Sequence, residues 1–246
     1  MRIFAKTDIG RERKLDEDYF YASKAEDKIK LFILADGMGG YNGGEVASKM
    51  AVEASKDYIQ KNFAKNKESK ETIEKLINDA MIYANDVVYK KAQSKEDLSG
   101  MGTTLDICLI YNSRLYIGHI GDSRVYRIRK EFIRKITRDD SYVQTLIEDG
   151  TITKEEAFRH PKKNMLTKAL GCTKEIEPTV YTKTFIKNDI ILMSSDGLTN
   201  MVKEDEIYKI IKKEDNSHEA LIKKANENGG LDNITVIVIY NCVEAQ

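Results

Sequence analysis

The chain has 246 residues, with 40 lysines and arginines against 40 aspartates and glutamates and a formal net charge of zero. That balance supplies no whole-protein field to attract nucleic acid or an anionic membrane surface. The length and a hydrophobic fraction of 41% suffice for one sizeable core, and they exclude collagen-like, disordered and disulfide-scaffold classes.

The chain opens on Met1-Arg2-Ile3-Phe4-Ala5-Lys6, with charge where a secretory leader needs its apolar stretch. Apolar runs such as 234–240 fall short of the roughly 20 residues that cross a bilayer, so no membrane anchor is expected. Cys108, Cys172 and Cys242 form no C-x-x-C pair and read as reduced thiols of a cytoplasmic protein.

Runs rich in Ile, Val, Tyr and Thr predict strands over 18–22 and 31–35. Apolar residues then recur at helical spacing over 44–63 and 72–92; in the second, Ile73, Leu76, Ile77, Ala80, Met81, Ala84 and Val88 form one stripe. Glu68 and Glu71 interrupt the lysine-rich junction near 64–70, which reads as a solvated helix connection and not a nucleic-acid patch. Strands follow over 103–111, 115–120 and 124–129. The turn signals Tyr111-Asn112-Ser113-Arg114 and Gly121-Asp122-Ser123 predict antiparallel hairpins between them.

A helix is expected over 139–150, and Thr153-Lys154-Glu155-Glu156 carries a capping-box start. The segment 141–164 is polar and has little to bury, which makes it a candidate flap over a site or an ordinary connecting segment; as a flap it offers Ser141, His160 and Asn164 as candidate substrate contacts. Strands over 180–185 and 190–194, helices over 203–213 and 217–228, and a strand over 234–240 complete the chain. Clustered strands and clustered helices indicate an α+β fold. No repeat or Gly/Ser/Pro-rich linker divides it, so one domain spanning 1–246 is expected.

Two strands end in an acid followed by glycine, Ala35-Asp36-Gly37 and Ser195-Asp196-Gly197. Gly229-Gly230-Leu231-Asp232-Asn233 sets a third acid before the last strand, and Gly121-Asp122-Ser123 sets a fourth in a turn. Each alone would be an ordinary turn residue. Gathered at one edge, however, ionised carboxylates repel unless cations lie between them. Oxygen ligands select Mg²⁺ or Mn²⁺, whereas zinc would recruit His or Cys, and only His119, His160 and His218 are present. Two such ions about 3.5 to 4 Å apart activate a water for in-line attack on phosphorus, so the chemistry indicated is hydrolysis of a phosphate ester. Arg13, close to Glu17 and Asp18 in sequence, offers the bidentate fork that matches phosphate oxygens; a surface salt bridge is its other reading.

Seven motifs in order now carry a resemblance: Arg13 with Glu17-Asp18, Asp36-Gly-Met-Gly-Gly40, Gly100-Met-Gly-Thr-Thr104, Gly121-Asp-Ser-Arg124, His160-Pro with Asn164, Thr167 and Gly171, Ser195-Asp-Gly197, and Gly229-Gly-Leu-Asp-Asn233. The series is similar to that of the bacterial PP2C-type, metal-dependent protein Ser/Thr phosphatases and covers nearly the whole chain. The resemblance implies a four-layer α-β-β-α sandwich of two antiparallel sheets flanked by helix pairs, with the metal site at one end. It implies that Asp36 bridges two tightly held Mn²⁺ or Mg²⁺ ions and that the Gly37 carbonyl binds one of them. Asp196 and Asp232 complete the other site, while Glu17 and Asp18 hold metal-bound waters. Asp122 matches the acid of a third, weaker site, and Arg13 matches the phosphate-binding arginine. Phosphoprotein substrates, an opposing Ser/Thr kinase, bacterial signalling and a monomeric state follow from the same resemblance.

Three positions depart from the pattern. Asp16 stands where Asn is common. Asp140 stands where His is usual, adding a negative charge near the flap. Met38 replaces the His of many eukaryotic relatives, so a metal-bound water would have to protonate the leaving group. Two other functions compete with an active protein phosphatase: a non-catalytic phosphoprotein-binding relative, and a hydrolase of small phosphate esters. Retention of Asp36, Asp196 and Asp232 argues against the first, since a scaffold has no need of mutually repelling acids.

Overall fold

A computed structural model describes residues 1–38 and 43–242. Gly39 and Gly40 of the second motif lie outside the described residues. Two antiparallel sheets stack face to face, each covered on its outer face by a helix pair, as expected for the four-layer sandwich.

One sheet runs in the order β2 (Asp18–Ala22), β3 (Lys30–Met38), β5 (Leu105–Tyr111), β6 (Arg114–Ile120), β9 (Thr179–Thr184), with the short β4 (Gly102–Thr103) pairing the end of β3. Helices α1 (Gly44–Asn66) and α2 (Lys70–Ser94) cover its outer face. The other sheet runs β1 (Arg2–Asp8), β11 (Ile234–Tyr240), β10 (Ile190–Ser194), β7 (Arg124–Arg129), β8 (Phe132–Lys135), and α6 (Glu204–Lys213) and α7 (Ser217–Glu227) pack on it. Shorter helices are α3 (Tyr142–Glu148), α4 (Lys154–Phe158) and α5 (Asp196–Thr199). Among the described residues no helix is long and apolar enough to cross a membrane.

Strand parity explains why β3 and β11 read as unbroken apolar runs. In β3, Leu31, Ile33 and Ala35 face the helices while Phe32 and Leu34 face the opposite sheet. In β11, Val236 and Val238 take the helix side, and Ile237 and Ile239 the inter-sheet side. Both faces of each strand are therefore buried, which removes the polar half of the alternation.

Two edge strands escape the sequence reading. β1 pairs with β11 from Arg2↔Tyr240 to Asp8↔Ile234, and β8 pairs with β7. Each has a neighbour on one side only, and their polar residues blur the pattern. The expected strand over 103–111 breaks at Thr104, which leaves the ladder to exchange bonds with Asp36: its amide donates to the Asp36 carbonyl, and its hydroxyl accepts from the Asp36 amide.

The Asn112-Ser113 turn closes the β5–β6 hairpin as expected, both residues having positive φ. Gly121-Asp122-Ser123 does not close a hairpin. β6 pairs with β5 and β9, whereas β7 pairs with β10 and β8, so this turn carries the chain from one sheet to the other. A local turn signal specifies a reversal but not which sheet receives the next strand.

The inter-sheet layer should dominate stability. Ile237, fully buried between the sheets, should cost about 2 to 5 kcal/mol on substitution by alanine, from lost burial plus the cavity left behind. Urea unfolding of Ile237→Ala, followed by circular dichroism, measures this; a loss under about 1 kcal/mol would show that the layer can collapse around the gap.

Candidate metal centre

The parity that places Phe32 and Leu34 between the sheets also places Asp36 there, because residues two apart on a strand share a face. Asp18 lies directly opposite Asp36 in the β2–β3 ladder and so shares that face. Asp122 sits on the crossover between the sheets, Asp196 begins α5 just after β10, and Asp232 precedes β11. All five acids thus converge at one end of the inter-sheet layer, and each of Asp36 and Asp196 feels the charge of others in the group.

Their electrostatics follow from burial and mutual repulsion. Burial, then Asp18, Asp196, Asp122 and Asp232, push the Asp36 carboxyl well above the ordinary carboxylate range. Burial raises Asp18 to about 8 despite a hydrogen bond from the Ser195 hydroxyl at 2.7 Å. Burial and Asp232 raise Asp196 to about 6, offset in part by Arg124, Lys163 and Arg13. Burial and Asp196 raise Asp122 as well, so the exposure expected for a hairpin turn does not hold. Arg124 lies near both Asp122 and Asp196 and opposes the shift in each.

Arg13 joins the cluster from the loop after β1. One amino group donates to Asp232 at 2.8 Å, and the other lies 3.7 Å from Glu17. Its side chain keeps 45% of its exposure, so the guanidinium retains a face toward solvent. Glu17 is raised by its own burial against the pull of Arg13.

Close backbone approach holds these loops together. A Cβ on Gly37 would lie 2.2 Å from the Gly44 carbonyl oxygen, and one on Gly197 2.0 Å from that of Asn233. The glycines beside Asp36 and Asp196 therefore let neighbouring segments pack against the acids, a requirement distinct from any carbonyl ligation.

Two supports were not legible in the sequence. Asn233, 3% exposed, accepts from the Glu17 amide and donates to the carbonyls of Ile9 and Leu15, which fixes the loop that presents Arg13 and Glu17. Asp140 is buried immediately before the flap segment. Its carboxylate accepts from the Gly121 amide at 3.2 Å, its own amide donates to the Gly121 carbonyl at 2.7 Å, and its carbonyl accepts from Thr167. It clamps the Asp122 turn to the far end of the candidate flap. Asp16, the other departure, accepts from Thr7 and from the Asp18 amide.

The segment 141–164 contains α3 and α4 and is pinched at its base by a Ser141↔Leu166 bridge. Ser141 is buried and its hydroxyl caps α3 at Gln144, so it is not available as a substrate contact. His160 is half-buried against Tyr142, and Asn164 is exposed. Lys163 is the residue of this segment whose charge reaches Asp196, and the sequence reading missed it.

The donor set fits hard divalent cations. Asp18 Oδ1 is buried with no hydrogen-bond partner, so a carboxylate oxygen is left for an ion or its water. No histidine shares the cluster: His119 pairs with Asp106, His160 belongs to the flap, and His218 stacks on Phe4. Among the described residues, no three His, Cys, Asp or Glu side chains stand close enough to cage an ion alone.

Comparison with known proteins gives a consistent answer. The family profile described as Protein phosphatase 2C matches residues 11–229. The serine/threonine phosphatase stp of Listeria innocua is 39% identical over 237 residues, covering 95% of this chain and 93% of its own. The Mycobacterium tuberculosis serine/threonine phosphatase PstP/Ppp superposes with a TM-score of 0.88 at 35% identity, with 98% of each chain covered. The PstP catalytic domain solved in complex with two manganese ions gives a TM-score of 0.84 at 35% identity and 96% coverage of each chain.

The raised carboxyls carry a sign that can be measured. In the unfolded chain these aspartates lose their protons near pH 4, whereas folding holds the Asp196 and Asp18 protons to about 6 and 8. Their contribution favours the fold at low pH and is lost as pH rises through those folded values. In EDTA the melting temperature should fall between pH 5 and pH 8, and added Mn²⁺ should raise it more at pH 8 than at pH 5. An equal Mn²⁺ shift at both values would show that the carboxyls ionise freely without metal.

Proposed function

The chain belongs to the protein phosphatase 2C family of metal-dependent serine/threonine protein phosphatases, and on that premise we propose a role for each residue at the acid-lined end of its sandwich. The observation that supports the assignment is the meeting of Asp18, Asp36, Asp122, Asp196 and Asp232 with Arg13. Asp36, Asp196, Asp232 and the Gly37 carbonyl would hold two Mn²⁺ or Mg²⁺ ions, with Glu17 and Asp18 acting on their waters. Bound cations neutralise these carboxylates and supply a hydroxide nucleophile near neutral pH.

Arg13 binds the phosphate. Asp232 orients it through one amino group, and its solvent-facing donors remain free to take the anion's oxygens. Asn233 holds the Arg13–Glu17 loop in place, so the guanidinium meets the phosphate without first having to order its own backbone. Met38 follows Asp36-Gly37 in β3 with a thioether that cannot donate a proton, so leaving-group protonation does not come from this side chain. Asp122 and Asp196 form a third, weaker cation site; its weakness follows from the positive charge of Arg124 beside both.

Substrates are phosphoproteins, and the enzyme reverses the work of a Ser/Thr kinase as a monomer in the cytoplasm. Lys163, His160 and Asn164 on the flap segment meet the protein substrate outside the reacting centre.

EDTA should abolish hydrolysis of a phosphothreonine peptide and of p-nitrophenyl phosphate, and Mn²⁺ should restore both. Asp36→Ala should stay folded and inactive. Full turnover in excess chelator would overturn the metal assignment. Arg13→Ala should lose about 2 to 4 kcal/mol of transition-state stabilisation in kcat/KM, while Mn²⁺ affinity by calorimetry stays close to wild type. Unchanged kinetics would reduce Arg13 to a salt-bridge partner of Asp232.

Asp122→Ala separates the third site from the other two. It should keep the tighter cations and the fold but slow the phosphopeptide, whose alkoxide needs a proton, far more than p-nitrophenyl phosphate, whose phenolate leaves unaided. Equal rates for variant and wild type on the peptide would remove Asp122 from turnover.

A further inference from the structure

A groove of about 690 Å³ runs beside the acid cluster, between α2 and the segment 166–177. Met38, two residues beyond Asp36 in β3, and Ile120, on the helix-covered face of the sheet, are among its lining residues. Met38 Cε and Cys172 Sγ both lie against Gly102, where any Cβ would come within 2.9 Å of each. Met38 thus links the groove to the end of β3, the strand that carries Asp36.

Ile82, Ile176 and Leu166 give the groove an apolar lining, and Ile82 is 45% exposed in the middle of α2. The wall is preformed. Asn85, 1% exposed on α2, accepts from the Gly171 amide at 2.8 Å and donates to the carbonyls of Thr173 and Lys174 at 3.0 and 3.1 Å. Those three bonds tie the segment opposite α2 to the helix. At the rim, Lys168 and Lys174 are balanced by Glu175 and Glu177, so neither sign of charge is selected.

We propose that this groove receives the polypeptide of the phosphoprotein next to its phosphorylated residue, and that an uncharged apolar side chain flanking that residue docks on Ile82, Ile176 and Cys172. The inference rests on the phosphatase assignment above. Met38, two residues from Asp36 on β3 and part of the groove lining, directs the substrate chain from the acids into the groove. Apolar lining, a rigid wall and cancelled rim charge set the preference for an apolar neighbour.

Two peptides test this, identical except for leucine or serine on both sides of a phosphothreonine. In one arm the phosphothreonine is replaced by its non-hydrolysable phosphonate, and alkylation of Cys172 by N-ethylmaleimide is followed by mass spectrometry in the Mn²⁺-loaded protein. The partly buried Cys242, which is not among the groove residues, serves as the internal reference. The leucine peptide should slow Cys172 alkylation several-fold with no effect on Cys242, and the serine peptide should protect little. In the second arm, kcat/KM should favour the leucine peptide by about tenfold, as expected for one apolar side chain entering a pocket. Ile82→Glu, at an exposed helix position that tolerates glutamate, should abolish both preferences while p-nitrophenyl phosphate hydrolysis stays within about twofold of wild type. Equal protection by both peptides, or preferences that survive Ile82→Glu, would overturn the groove assignment. Failure to hydrolyse any phosphoester with Mn²⁺, with selective protection of Cys172 intact, would instead overturn the phosphatase assignment and leave the groove standing.

Discussion

Desolvated like charge is the constraint on which this structure depends. Two unit charges about 4 Å apart near a protein surface repel by about 4 kcal/mol, and a domain's whole stability is only about 5 to 15 kcal/mol. Five aspartates gathered at one end of a sandwich, Asp18 buried and the others half-buried, therefore cannot all ionise unaided. The fold answers in part with protons, which is why Asp36, Asp18, Asp122 and Asp196 are all raised. Divalent cations answer more completely, and a site that must recruit them is also a site that can activate water.

Such a cluster must be assembled against its own repulsion, and neutral hydrogen bonds do much of that work. Ser195 ties β10 to Asp18 on β2 and so bridges the two sheets across the cluster. The Thr104 and Ser123 hydroxyls, 2.8 Å apart, connect the segment beside Asp36 to the turn beside Asp122. Asn233 fixes the Arg13–Glu17 loop, and Asp140 fixes the Asp122 turn. These partners bring the acids together without adding cationic charge that would compete with a metal.

The two arginines of the region divide their tasks by burial. Arg13 is half exposed and only partly engaged, which suits the phosphate-binding role proposed for it. Arg124 is committed, since its guanidinium makes a bidentate contact with Asp139, which Lys135 also contacts. It can tune the field at Asp122 and Asp196 but is not free to bind substrate. The same separation holds in the groove, where Asn85 sets the shape and the apolar side chains make the surface.

Much of this was determined by sequence alone, because it depends on local pattern. Unbroken apolar runs ending in Asp36 or following Asp232 mark strands buried on both faces with acids at their ends, and helical stripes mark α1 and α2. The ordered motifs identified the family and its hard-cation chemistry. Tertiary structure decided what depends on which strand receives which neighbour. The Asp122 turn passes between sheets, so that residue is half-buried among the other acids where a hairpin would have left it exposed. Asp140, an acid at the base of the flap, also proves to be a backbone clamp, and Ser141 looked like a flap contact and proves to be a helix cap. Strands β1 and β8 had too little apolar alternation to be read, because polar residues interrupt one and the other is only four residues long. Asn233, Asn85 and Lys163 are single polar residues with no periodicity, and only the distances between remote segments give them their roles.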